Sequence, residues 1–329
     1  MKIAIVRLSS LGDIIKNASV LQMIKKHYPQ AEITWVADSI FADILDNTDN
    51  LDNIIKIDLK KLKRNFSFKK LKEIIKLLPK REFDIVIDSH GMLKAALISK
   101  RLAKKKICGF DGIIKEKLSK IFYTECFKFE CSDNEIYRYN KLAAECLKYE
   151  FNQEDIYKLK PFLNYKDKDY SEYDKFFKEK NIVLAFGTSR GWDCKKYPIE
   201  KWINVINNVD VNFLLIWGND KEKKEAEYIA SKTGALILPK LSFNDLKYVI
   251  KKSDLIVGND TGPTHIGWAV GTKSLIVFGC TDKNLMVEDK AHLAVKSDSI
   301  VNYCKFDKND LSIRNIDENL IITKIKELI

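Results

Sequence analysis

Short runs of consecutive apolar residues alternate along the chain with longer stretches in which apolar positions recur every three or four residues. The short runs predict strands at residues 3–6, 33–37, 54–57, 84–87 and 106–109, and again at 182–186, 213–217, 235–238, 255–257 and 275–278. Helical spacing fills intervals at 14–27, 68–78, 93–102, 199–208, 221–233 and 243–251. Strands of about five residues that are apolar throughout need cover on both faces, and helices between them supply it. The chain therefore reads as α/β with parallel sheets. The pattern restarts after residues 158–174, a polar stretch containing Pro161 and many Lys, Asp and Tyr residues. Two doubly wound, Rossmann-like domains are expected, at 1–165 and 166–312. A closing segment at 313–329 is expected to form a helix that packs back toward the first domain. Ligands of such sheets bind beyond the carboxyl ends of the strands, so two domains facing across a cleft would gather their chemistry there.

A length of 329 residues suits two cores better than one. Lysine and arginine outnumber Asp and Glu by 57 to 46. Most of that excess lies in residues 1–165, with 31 basic and 22 acidic side chains, and it peaks at 56–106, with 17 against 5. A negatively charged partner is expected on that half, either an anionic acceptor or a lipid headgroup surface; a merely solvated face is the plain alternative. The same excess suits a nucleic-acid-binding or membrane-surface protein. No aromatic RRM signature or zinc finger accompanies it, so no nucleic-acid partner is expected. Seven irregularly spaced cysteines without a CxxC, and four scattered histidines, allow no zinc site and suggest a reduced cytosolic chain. No apolar stretch approaches the ~20 residues of a spanning helix, so any membrane contact is expected to be peripheral.

The candidate chemistry follows the strands. Arg7-Leu8-Ser9-Ser10-Leu11-Gly12-Asp13 ends the first strand and opens a helix. There Asp13 is either a helix cap or a group facing a ligand. Gly258-Asn259-Asp260-Thr261-Gly262-Pro263-Thr264-His265 follows another strand, and its helix start offers amides for a pyrophosphate. A capped turn with a core histidine is the bland reading. Thr188 and Ser189, followed by Lys195 and Lys196, again combine hydroxyls and ammonium groups beyond a strand, as a phosphate requires. Glu222, after Trp217-Gly218-Asn219-Asp220-Lys221, is placed either to accept ribose hydroxyls or to cap a helix. His90-Gly91-Met92-Leu93-Lys94 lies within the basic region.

Together these segments resemble the bacterial ADP-heptose:lipopolysaccharide heptosyltransferases. Ser9-Ser10-Leu11-Gly12-Asp13 is most similar to the branch that adds the first heptose to Kdo-lipid A. Residues 90–94 resemble that branch's Gly-Leu-x-Lys segment, and Asp260-Thr261-Gly262 with His265 matches the family's most specific signature. The resemblance implies a GT-B fold and inverting transfer of L-glycero-D-manno-heptose from ADP-L-glycero-D-manno-heptose to Kdo of the lipopolysaccharide inner core. It makes Asp13 the catalytic base. Thr188, Ser189, Lys195, Glu222, Asp260, Thr261, Gly262 and His265 would line the donor site. Arg7, Ser10, Gly12, Lys63, Arg64, His90 and Lys94 would face the Kdo-lipid A acceptor. No metal or other cofactor is expected: the one Asp-x-Asp, Asp167-Lys168-Asp169, lies in the presumed linker. The implied location is cytoplasmic, peripheral on the inner face of the inner membrane of a Gram-negative bacterium. The alternative within the family is a later, II-type core enzyme with a heptose acceptor. Two departures stand out: Ser189 replaces a common Thr, and two extra residues precede Lys195-Lys196, so either lysine could meet the diphosphate.

Overall fold

The computed structural model describes residues 1–59, 68–111, 117–189 and 191–329. The chain divides into two compact units, Met1–Phe162 and Leu163–Ile329, so the boundary falls inside the polar stretch at 158–174. In chain order the first unit holds β1 (Lys2–Val6), α1 (Leu11–Ala18), α2 (Val20–His27), β2 (Glu32–Asp38), β3 (Asn53–Ile57), α3 (Phe68–Leu77), β4 (Phe83–Asp88), α4 (Leu93–Leu102), β5 (Ala103–Asp111), β6 (Glu125–Lys128) and α5 (Glu135–Leu147). The second holds α6 (Ser171–Asp174), β7 (Asn181–Ala185), α7 (Ile199–Asn207), β8 (Asn212–Leu215), α8 (Asp220–Lys232), β9 (Leu236–Ile237), α9 (Phe243–Lys252), β10 (Leu255–Asn259), α10 (Gly262–Val270), β11 (Lys273–Phe278), β12 (His292–Lys296) and α11 (Glu318–Leu328).

Both sheets are parallel throughout and wound alike, in the orders β3-β2-β1-β4-β5-β6 and β9-β8-β7-β10-β11-β12. Each winding reverses once, between β1 and β4 and between β7 and β10. At such a reversal the loops leaving the two strands part to opposite faces and leave a crevice above the carboxyl ends. The central strands are sealed on both sides: Ile3, Ile5, Ile182, Leu184, Leu255 and Val257 are fully buried.

Two differences from the sequence pattern have local causes. The helical stretch at 14–27 is two helices meeting at Ser19, whose hydroxyl bonds back to the Lys16 carbonyl at 2.8 Å. Strands β6 and β12 close one edge of each sheet; β6 offers only Cys126 and Phe127 between Glu125 and Lys128, and β12 only the short run Leu293–Val295 between His292 and Lys296. The closing segment forms α11, which packs on α7, β11 and β12, and its Ile321, Ile325 and Leu328 join the second unit's core.

The expectation of a reduced chain does not hold at Cys108 and Cys146. Cys108 on β5 and Cys146 on α5 form a disulfide across 38 residues of sequence, their Cα atoms 5.9 Å apart. Only the packing of α5 on β5 brings them together. Cys126, Cys194 and Cys280 are free thiols.

Close packing at the second reversal requires a glycine. A Cβ on Gly258 of β10 would stand 2.3 Å from the Ala185 carbonyl oxygen of β7, whereas one on Gly234 would meet nothing within 4 Å. Gly258→Ala should therefore cost about 1–3 kcal/mol, the usual penalty for overpacking. Gly234→Ala should be neutral or slightly stabilising. Denaturant melts of the two variants check this contrast.

Candidate active site

Each reversal carries constellations anticipated from the sequence. In the first unit the chain leaves β1 through Arg7 and turns into α1 at Ser10, the N-cap. Asp13, the third helical residue, completes a capping box: its Oδ2 accepts from the Ser10 amide at 3.0 Å and the Ser10 hydroxyl at 2.9 Å. Gly12 lies between them, buried in the first turn. The cap role considered for Asp13 is thus real, and a second role accompanies it. Arg7 Nη2 stands 2.7 Å from Asp13 Oδ2, and Lys16 Nζ lies 3.9 Å from Oδ1. Burial pushes the Asp13 carboxyl up, but Arg7, Lys16 and the Ser10 amide together hold it well below the usual carboxylate range.

The far side of this reversal is built by β4. Its last residue, Asp88, is fully buried. Asp88 Oδ1 accepts from the amides of His90 (2.9 Å) and Gly91 (3.2 Å), and Oδ2 accepts from the Tyr123 hydroxyl (2.9 Å). The turn so fixed presents the Ser89 carbonyl to Arg7 Nη1 at 2.5 Å. Arg7, Asp13 and the His90 turn are therefore one connected structure. Lys94 sits in the first turn of α4, beyond that turn. Lys63 and Arg64 lie outside the described residues.

In the second unit Asp260 follows β10 and is almost wholly buried. Its Oδ2 meets Lys195 Nζ at 2.5 Å and accepts from the Thr281 hydroxyl at 2.8 Å, while Oδ1 lies 2.9 Å from His265 Nε2. Thr261 caps α10 with extended backbone and turns its hydroxyl toward the Asn259 carbonyl. The first-turn amides of Gly262 and Thr264 point along the helix axis out of its N-terminus, as they must at any helix start. Asn259 ties the reversal together: its side chain accepts from the Tyr197 amide and donates to the Phe186 carbonyl.

The two lysines are separated by their partners: Lys195 reaches Asp260, and Lys196 is drawn to Glu225 Oε1 of α8 at 2.5 Å. Thr188 and Ser189 form the turn beyond β7, where the Thr188 hydroxyl and Ser189 carbonyl bond to the backbone of Trp192. Glu222 takes part in the cap of α8, its carboxylate accepting from the Gly218 amide at 2.7 Å and its own amide donating to Asn219. That carboxylate also stands against the β7 turn, since a Cβ on Gly187 would lie 2.7 Å from its carboxyl carbon.

Sequence reasoning missed Asp88, Glu135, Tyr139 and Thr281. Asp88 and Thr281 do follow strands, but single polar residues there carry no pattern. Glu135 and Tyr139 reach Lys16 and Arg7 only through the packing of α5 on α1. Among the described residues no cluster of three or more His, Cys, Asp or Glu side chains could hold a metal ion.

Asp88 gives a pH test. Burial pushes its carboxyl up to about 6, against the hydrogen bonds from His90, Tyr123 and Gly91. A carboxyl raised in the folded state binds its proton more tightly there than in the unfolded chain. The stability it contributes is full below pH ~4 and is lost as pH rises through about 6. Asp88→Asn keeps an acceptor for the two amides and cannot titrate, so it should remove that part of the slope. Denaturation free energies between pH 4 and 7, for wild type and variant, measure it.

The chain is similar to several known proteins. The family model for glycosyltransferase family 9 (heptosyltransferase) matches residues 71–309. Lipopolysaccharide heptosyltransferase 1 of Campylobacter coli is 32% identical and covers 100% of this chain and 99% of its own. The structure of E. coli heptosyltransferase WaaC with ADP-2-deoxy-2-fluoro heptose has a TM-score of 0.76 at 24% identity, over 99% of both chains. A glycosyl transferase family 9 structure from Veillonella parvula has a TM-score of 0.80 at 17% identity, over 99% of this chain and 96% of its own. The fold is the GT-B fold of these enzymes, and the chain belongs to glycosyltransferase family 9, the heptosyltransferases.

Proposed function

We propose that the protein transfers L-glycero-D-manno-heptose from ADP-heptose to a Kdo hydroxyl of Kdo-lipid A, with inversion at the anomeric carbon. The observation that carries this reading is the end-to-end match to a relative named lipopolysaccharide heptosyltransferase 1. A solved structure of the same fold, titled as holding an ADP-heptose analogue, supports the donor.

Transfer leaves negative charge on the departing ADP. In the second unit the Gly262 and Thr264 amides and the Lys195 ammonium are the groups suited to meet it. Asp260, braced by His265 and Thr281, keeps Lys195 at that helix start. Glu222, beside the β7 turn, suits the ribose hydroxyls.

On the acceptor side Asp13 takes the hydroxyl proton. Because Arg7 and Lys16 hold it ionised far below neutral pH, it is always ready to accept. So depressed a carboxylate is a weak base toward a free alcohol. The proton must therefore move late, once the attacking oxygen has begun bonding to an oxocarbenium-like carbon and has become acidic. Arg7, Ser10, Gly12, His90 and Lys94 border the acceptor. The basic first half suits an anionic, membrane-borne acceptor reached from the cytoplasmic face, and among the described residues no helix is long and apolar enough to cross a membrane.

Asp13→Asn should lower kcat by ~10²–10⁴-fold and leave ADP affinity unchanged, because an amide cannot take the proton. Stability should fall further than loss of a cap alone would cause, since Arg7 loses its carboxylate partner. Product mass from ADP-heptose and Kdo-lipid A, normalised to folded protein, decides the point, and near-wild-type turnover would remove Asp13 from the mechanism. With lysine and helix amides supplying the positive charge, no divalent ion is needed. EDTA should leave the rate unaltered, and a complete loss restored by Mg²⁺ or Mn²⁺ would reverse that assignment.

A further inference from the structure

The most closely knit group of charges outside the family's signature residues lies where α5 packs on α1. Lys16 is buried, yet it carries an ammonium group. That group forms an ion pair with Glu135 Oε2 and stands 3.9 Å from Asp13 Oδ1. Glu135 Oε1 accepts from the Tyr139 hydroxyl at 2.8 Å, one helical turn along α5, and the Tyr139 ring lies 5.2 Å beneath the Arg7 guanidinium. Asn134 caps α5 by accepting from the Ile136 and Tyr137 amides, which fixes Glu135 at the first helical position. Two cations and two carboxylates thus alternate in one half-buried cluster, with Asp13 at its exposed end.

We infer that Glu135 is a positioning residue for the transfer reaction: it draws the Lys16 ammonium to itself, so that Lys16 approaches Asp13 only to 3.9 Å and the base's one close ion pair is with Arg7. The inference rests on the reading of Asp13 as the base. A buried ammonium group must be balanced by some carboxylate. With Glu135 neutral, the nearest carboxylate is Asp13, which would be pulled toward Lys16 and made a still weaker base. The charged or titratable groups facing Asp13 are Arg7 from the end of β1, Lys16 from its own helix, and Glu135 and Tyr139 from α5, with Arg138 acting on Glu135 and Asp88 on Arg7 from β4. Burial would raise the Glu135 carboxyl, but Lys16 chiefly holds it below its ordinary range, so it stays charged as the role requires.

The test is a cycle of variants assayed for kcat and ADP affinity. Glu135→Gln preserves shape and the acceptor for Tyr139 while removing the charge. It should lower kcat about tenfold, the effect of roughly one pKa unit on the base, with ADP affinity within about twofold of wild type. Adding Lys16→Met to Glu135→Gln removes the unbalanced cation and should recover most of that loss. In an Asp13→Asn background Glu135→Gln should cost nothing further, because it acts through Asp13. Wild-type turnover in Glu135→Gln, failure of Lys16→Met to recover it, or an equal loss in the Asp13→Asn background would each overturn the inference. An inactive Asp13→Asn beside a fully active Glu135→Gln removes this inference alone. A fully active Asp13→Asn removes the base assignment and this inference with it.

Discussion

Parallel pairing of β1 with β4, and of β7 with β10, is the constraint on which the rest of the molecule depends. Because these strands run side by side in the same direction, all four end at the same edge of their sheet, and the segments leaving them must diverge. Arg7 and Asp88 meet through the Ser89 carbonyl for that reason, and so do Lys195 and Asp260. The pairing demands close backbone approach, which Gly258 permits against Ala185. It also demands cover on both faces, which the flanking helices provide. Those helices then begin at the crevice, with their N-termini pointing into it.

The two reversals solve the same electrostatic problem in different ways. In each, a carboxylate of low exposure stands at a strand or helix end and must be matched by charge and hydrogen bonds. Asp260 is matched by Lys195, His265 and Thr281, a set in which the lysine stays near the start of α10. Such a site favours an anion at the helix end. Asp13 is matched closely by Arg7 and more distantly by Lys16, which Glu135 shares, and it keeps 27% of its side chain exposed. In the proposed reaction this site meets the hydroxyl that must lose a proton. In that proposed reaction, donor and acceptor chemistry divide between two copies of one winding through the residues placed at its switch point.

Much of the fold was legible in the chain. Ten of the strands announced themselves as apolar runs, because a strand covered on both faces has no polar side to show. β6 was hidden because it offers only Cys126 and Phe127 between Glu125 and Lys128, and β12 because its apolar run is only three residues long between His292 and Lys296. The break at Ser19 was equally hidden, since a serine that bonds back to its own helix does not disturb apolar spacing. Among site residues, Asp13 and Asp260 were readable because glycines and hydroxyls surround them in a pattern. Lys195 could not be told from Lys196, for both fit the spacing; their partners Asp260 and Glu225 lie 65 and 29 residues away and separate them.

What the sequence determined by itself, then, was the set of elements, the parallel class and the positions of chemistry-bearing turns. These depend on periodicity and on neighbours within a few residues. Tertiary structure alone decided the strand order, and with it which turns share a crevice, since pairing β1 with β4 leaves no local trace in either strand. It also decided the disulfide between Cys108 and Cys146, the bracing of Asp260 by Thr281, and the meeting of Glu135 and Tyr139 with Lys16 and Arg7. Each of these joins residues tens of positions apart or more. Their side chains become partners only when burial removes water from both and leaves them no other charge or hydrogen bond to take.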